Sequence, residues 1–185
     1  MKRIILAVIV AASCNAAIAA DTGAYISASV GAAEQKLSVE GMSLTDDDTG
    51  VQIAAGYRIT PNFGVEVGYT TFGTGSVGVD DANASSEPRA FHGAAVGSFN
   101  ITPQFAITGK LGMARNRTKL SATFDGETES MTESESSVLV GVGASYAFTP
   151  NVALIAEYQN FGKIIKIEGV NIKASIVSVG VRYSF

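Results

Sequence analysis

The sequence predicts an all-β chain: an eight-stranded antiparallel up-and-down barrel that crosses a membrane with its strands. Three observations carry this. Hydrophobic residues recur at every second position over most of the chain, short and long connections alternate, and the row between the hydrophobic residues is small and nearly uncharged. Of 185 residues, 46% are hydrophobic, only 16% are charged and 20 are Gly. A chain of this length suggests one domain.

Composition also excludes several chemistries. A single Cys forms no internal disulfide, and one Cys with one His cannot supply the Cys/His sets that hold zinc. No metal or cofactor is expected. A pI near 5.0 and a formal charge of −4 argue against a nucleic-acid partner, which needs a basic stripe.

At the N-terminus, Lys2 and Arg3 precede an apolar run from Ile4 to Ala12, and Ala17-Ile18-Ala19 fits a small-x-small cleavage site. Residues 1–20 read as a secretory signal peptide, because the apolar core is too short to span a bilayer. The barrel domain then covers 21–185. Cys14 opens an alternative, acylation as a lipoprotein, but Ala11 stands three residues before it where a larger aliphatic is usual.

Six segments alternate cleanly. Their apolar rows are Val51-Ile53-Ala55-Tyr57-Ile59, Phe63-Val65-Val67-Tyr69, Phe105-Ile107-Gly109-Leu111-Met113, Val138-Val140-Val142-Ala144-Tyr146-Phe148, Val152-Leu154-Ala156-Tyr158 and Val177-Val179-Val181-Tyr183-Phe185. Residues 24–33 and 90–99 complete eight strands less regularly. Thr60-Pro61-Asn62, Thr102-Pro103-Gln104 and Thr149-Pro150-Asn151 are tight turns, where proline sets the bend without removing a ladder bond. Between them lie long polar segments, about 33–49, 73–89, 115–136 and 161–174, expected as loops. Three short turns and four long loops are the connections of an eight-stranded membrane barrel.

Parity alone leaves two orientations open: apolar outward in a membrane, or apolar inward in a secreted ligand-binding barrel. The sparse charge favours the membrane, since a soluble exterior needs many more Lys, Glu and Arg. Tyr57, Tyr69, Tyr146, Tyr158 and Tyr183 then sit where an interfacial girdle belongs.

Four segments in order carry a resemblance. Gly56-Tyr57-Arg58-Ile59-Thr60-Pro61-Asn62-Phe63-Gly64-Val65-Glu66-Val67-Gly68-Tyr69, Ile101-Thr102-Pro103 through Met113, Tyr146-Ala147-Phe148-Thr149-Pro150 with Glu157-Tyr158-Gln159, and Ser178 through Phe185 resemble the transmembrane domain of OmpA-type outer-membrane proteins. The likeness covers most of the strands and almost none of the loops. It implies a Gram-negative outer membrane and partners there: lipid, lipopolysaccharide and the assembly machinery. Tyr183 and Phe185 match the terminal-strand signal that this machinery reads. The chain ends at Phe185, so no appended peptidoglycan-binding domain is expected, and the architecture is similar to the small OmpX and Ail type. In that type protruding loops serve adhesion, which makes a host-surface or envelope protein a further expected partner.

Arg58, Glu66, Lys110, Glu157 and Arg182 share the small-residue face, where buried charges pair or stay hydrated. An interior network that plugs the barrel is expected; the alternative is a narrow passive pore. Glu66 stands at the family's gate-glutamate position, while the arginine partner's place holds Ile155 and the lysine place Ala95. His92 is the sole imidazole and would be the base of a lipid-modifying enzyme if it met a Ser on the lipid face; otherwise it is a rim residue near the headgroups. Asp46-Asp47-Asp48 lacks the spacing of a Ca²⁺ loop. Arg115, Arg117 and Lys119 lie just beyond a strand end, suited to lipopolysaccharide phosphates. Residues 163–173, with Lys163, Lys166 and Lys173, read as a hairpin prolonging the last two strands and able to meet a partner. The expected role is structural or interactive rather than catalytic.

Overall fold

The computed structural model describes residues 22–39, 42–73, 75–79, 82–124, 127–167 and 170–185; within these, the backbone alone is described for 35–39, 42–47, 75–79, 82–87, 119–124, 127–133, 163–167 and 170–172. The leader read over residues 1–20 lies outside the described residues.

The strands are β1 (Gly23–Val39), β2 (Met42–Arg58), β3 (Phe63–Thr71), β4 (Gly75–Val79), β5 (Ala82–Asn100), β6 (Phe105–Phe124), β7 (Glu127–Ala147), β8 (Val152–Ile167) and β9 (Val170–Ser184). All pairings are antiparallel, in the order β3-β2-β1-β9-β8-β7-β6-β5-β4, and the β3–β5 pairing closes the ring. β3 and β4 follow one another along a single stave, so the barrel has eight. Closure gives every backbone group of the spanning part a partner, which a lipid environment requires.

The faces are assigned by burial. Leu111 and Met113 are 63% and 66% exposed on the outside, whereas Glu66 is 2% exposed on the inside. Apolar residues therefore face out and charges face in, which overturns the secreted barrel with an apolar interior. At each short turn the Thr hydroxyl captures an N–H three residues on: Thr60 Oγ1 from Phe63 at 3.0 Å, Thr102 Oγ1 from Phe105 at 2.9 Å, Thr149 Oγ1 from Val152 at 3.0 Å. This closes the bend that proline opens.

The expectation of four long loops is corrected. Pairing continues to Val39↔Met42, Val79↔Ala82, Phe124↔Glu127 and Ile167↔Val170, so most of the polar segments are strand. Their polarity reports contact with water, not irregular backbone: a ladder satisfies its own hydrogen bonds whether or not its faces are apolar. Only the 163–173 hairpin was legible as such, and it carries register shifts between Asn160 and Lys163 and between Lys163 and Ile165.

Two neighbouring pairs part company above the barrel. The β2–β3 ladder ends at Val51↔Thr71 and the β7–β8 ladder at Val140↔Asn160. Beyond these points the described strands continue as two groups, β8-β9-β1-β2 and β4-β5-β6-β7. Each seam begins with the same dipeptide, Phe72-Gly73 and Phe161-Gly162, whose glycines take φ values of +86° and +66°, open to glycine without steric cost. At the second seam, Asn116 Nδ2 donates to the Phe161 carbonyl at 3.3 Å, and Ser137 Oγ donates to it as well. Side chains thus serve a carbonyl at the point where the ladder ends.

Candidate functional site

The lumen holds two layers. In the lower, Lys110 on β6 donates to Glu66 Oε1 on β3 at 2.6 Å and to Glu157 Oε2 on β8 at 2.9 Å. Lys110 and Glu157 are 5% and 6% exposed. Tyr25 hydroxyl donates to Glu66 Oε2 at 2.9 Å, and Gln159 Nε2 to Glu157 Oε2 at 2.8 Å. Gln159 and Gln52 bridge β8 and β2 at 3.2 Å. Arg182 Nη2 lies 3.7 Å from Glu157 Oε1, an ion pair longer than a hydrogen bond, and its guanidinium stands 4.8 Å above the Tyr25 ring. With two carboxylates, an ammonium and a guanidinium, this cluster is balanced in formal charge.

Small residues make this possible. A Cβ at Gly56 would collide with the Tyr25 ring, one at Gly68 would come within 2.6 Å of the His92 ring, and one at Gly143 within 2.8 Å of Glu157 Cγ. The glycines in the inner row are the floor on which the polar side chains lie. Gly56→Ala is expected to displace Tyr25 from Glu66 and to cost about 1–3 kcal/mol, the usual range for overpacking. Urea unfolding in lipid vesicles measures it, and an unchanged midpoint would show that the ring moves freely.

The upper layer is mainly apolar, with His92 against the Phe161 ring and Asn116 against its carbonyl. Ala33, Phe72, Ala90, Ala94, Ala114, Leu139, Phe161, Ala174 and Ile176 form one buried cluster inside the barrel. The Phe72 and Phe161 rings meet edge to face at 5.0 Å. Their staves, β3 and β8, are four places apart in a ring of eight, hence opposite, so the two rings meet across the lumen. The apolar layer was missed from sequence although the inner-row parity contains it: Phe72 continues Glu66-Gly68-Thr70, and Phe161 continues Glu157-Gln159.

Of the residues expected in the interior network, Glu66, Lys110, Glu157 and Arg182 come together. Arg58 is half-buried near the turns, where its Nη2 donates to Ser184 Oγ at 3.4 Å. Tyr25, Gln52 and Gln159 join the cluster without having been singled out. Ile155 faces the lumen, but Ala95 points outward. His92 is a correction: it is 1% exposed inside the barrel, edge-on to Phe161 at 5.6 Å and 4.0 Å from Glu66 Oε1. It reaches neither lipid nor headgroups, which removes the geometry of a lipid-modifying base. The side chain of Asp48 accepts the Thr49 N–H at 2.6 Å and abuts Gly73; those of Asp46 and Asp47 lie outside the described residues. Arg115 and Arg117 are exposed on the outer face, as is Lys173, while the side chains of Lys119, Lys163 and Lys166 lie outside the described residues. Tyr183 and Phe185 stack edge to face at 5.1 Å at the end of β9.

Comparison with known proteins agrees with this architecture. The chain is 29% identical to outer membrane protein A of Yersinia pseudotuberculosis over 143 residues, 75% of this chain and 40% of that protein. It thus spans about two fifths of the length of that relative. It is 26% identical to the attachment invasion locus protein of Yersinia enterocolitica over 166 residues, 85% of each. Among solved structures, Neisserial surface protein A superposes with a TM-score of 0.66 at 25% identity, covering 88% of this chain and 97% of the other. The Yersinia pestis attachment invasion locus protein, in complex with the heparin analogue sucrose octasulfate, gives 0.59 at 20% identity, covering 87% and 99%, a likeness of fold. The outer membrane protein beta-barrel domain matches residues 4–185, and the chain belongs to that family of outer-membrane proteins.

Proposed function

We propose that this chain is a non-catalytic, non-conducting outer-membrane barrel whose work is interactive: its external hairpins recognise a polyanionic surface. One observation carries the reading. Lys36, Lys173 and Lys163 stand in one register row across β1, β9 and β8, since Lys36 pairs with Lys173 and Lys163 pairs with it from the other side. Like charges placed directly opposite one another destabilise a sheet unless an anion offsets them. A sulfated polysaccharide does so with repeated charges at strand-like spacing, and the sulfated ligand of the Yersinia pestis relative is of that chemistry. Lys166, opposite Asn171, extends the row outward.

The narrow pore is disfavoured by the lumen, where an ion would have to part both the Lys110 cluster and the Phe72–Phe161 contact. Protein reconstituted in planar bilayers is expected to leave them silent, and discrete single-channel steps would refute this half of the proposal. For the other half, the barrel in detergent is expected to bind a heparin column and elute with salt. Lys163→Glu with Lys173→Glu should lower the eluting salt concentration by at least half. Unchanged elution would sink the polyanion reading.

A further inference from the structure

Above the seams, charge is sorted between the two faces of the external strands. Leu139 and Ala33 are fully buried, which fixes the inner parity of β7 and β1, and the ladders carry that parity outward. Glu135, Glu133, Glu129 and Glu127 all stand on the inner parity of β7. Asp48 and Asp46 stand on that of β2, paired with Ala33 and Gln35. Every Lys and Arg of the described residues above the seams falls on the outer parity. The ladder sets no base opposite the glutamates either: β6 offers them Phe124, Ala122, Thr118 and Asn116.

Much of the remaining inner parity is apolar, and unequal on the two sides. In β8-β9-β1-β2, Ile165, Ile172, Leu37 and Leu44 make one unbroken aliphatic row, and the row beyond it is apolar too. β5 lies four places from β9 in the ring, hence across the axis, and its inner parity is small: Ala82, Ala84 and Ser86. A bulky wall facing a shallow one suits a further layer of side chains between them. The Phe72–Phe161 contact forms the floor, and the seams leave two sides without a ladder.

We propose that the split mouth is a binding cleft for a cationic amphipathic peptide, its apolar residues on the aliphatic rows and its cations at the acids of β7 and β2. Carboxylates at the border of an apolar wall are costly to leave unpaired and gain from a cation placed there. The four glutamate positions of β7 run over eight steps of strand, roughly 26 Å. A single cationic headgroup meets one of them, whereas a peptide with repeated Lys or Arg meets them in series. A wholly apolar ligand would satisfy the aliphatic rows and leave the acids unanswered; a uniformly charged one would do the reverse. The bases of the outer face repel the same peptide, which directs it to the inner faces. The inference is independent of the lysine row, which draws an anion to the outer face.

The chain contains no Trp, so the emission of a peptide that bears one reports the peptide alone. The probe is a short synthetic peptide of alternating Lys and Leu with a single Trp, titrated with the full chain in phosphatidylcholine nanodiscs. Saturable, blue-shifted emission is expected with loaded discs and not with empty ones. Glu133→Gln with Glu135→Gln should weaken binding about tenfold, while Arg115→Gln on the outer face should leave it within about twofold. Replacing the Leu residues of the peptide by Ser, or its Lys residues by Gln, should each weaken binding about tenfold as well. A heat-dependent gel shift shows that each variant is folded. Unchanged affinity in the double variant, equal binding of either altered peptide, or an equal signal from empty discs would each overturn the proposal.

Discussion

Lys110→Met is expected to lower the unfolding free energy of the barrel by about 3–5 kcal/mol, read as a fall in the urea midpoint in lipid vesicles, because it leaves two buried carboxylates without their shared cation. Methionine keeps the length of the stem, so the loss reports charge rather than packing. Lys110 Nζ is the one group within hydrogen-bond reach of both Glu66 and Glu157 among the described contacts, at 2.6 and 2.9 Å. The remaining neighbours compensate poorly. Tyr25 donates a single neutral bond to Glu66, and Arg182 stands 3.7 Å from Glu157. Adding Glu66→Gln to Lys110→Met should restore most of the stability, since one carboxylate is removed with its cation while Glu157 keeps Arg182 as counter-charge. The single and double variants should therefore be strongly non-additive. Raising salt from low to physiological strength should change the wild-type midpoint little, because buried pairs are screened much less than exposed ones. If Lys110→Met were as stable as the wild type, hydration rather than the ammonium would be neutralising the carboxylates.

How much of this could be read in advance depends on what each residue had to satisfy. The spanning strands were legible because lipid imposes one rule on every outward position: Val51, Ile53, Val65, Val67, Leu111 and Met113 had no alternative face. The same parity put Glu66, Lys110, Glu157 and Arg182 on one side. It did not say which of them touch, because contact across a lumen depends on shear between strands far apart in sequence, as between Lys110 and Glu66. Tyr25 escaped notice because β1 alternates weakly, with Ala24, Ser27 and Ala28 blurring its rows. The external strands resemble loops in sequence because water imposes no such rule on Thr, Ser and Asp. An isolated imidazole says nothing of which face it occupies, so sequence does not separate the lumen from the rim for His92. Its neighbours Phe91 and Gly93 are the exposed ones.

Phe161→Ala should also cost about 3–5 kcal/mol, the usual loss for emptying a buried phenylalanine site. The reason lies in a repeat that neither segment shows by itself. Thr60-Pro61-Asn62 precedes Tyr69, Phe72 and Gly73 by the same spacing at which Thr149-Pro150-Asn151 precedes Tyr158, Phe161 and Gly162. Both runs climb from a proline turn to a point where the ladder to one neighbour stops, and they do so on opposite sides of the barrel. Each ends by turning a phenylalanine inward, and the two rings meet edge to face with no exposure. The apolar layer thus fills the cross-section at the height where the strands divide into two groups, and where a ring of backbone bonds alone would leave the mouth unsupported. Because the rings share one contact, Phe72→Ala added to Phe161→Ala should cost less than the sum of the two, by about 0.5–1.5 kcal/mol. Strict additivity in the urea midpoints would mean that each ring is held by its own stave rather than by the other. The double variant should still leave planar bilayers silent, because the Lys110 cluster beneath it is untouched, so the apolar layer is expected to govern stability of the mouth while the charged layer closes the lumen.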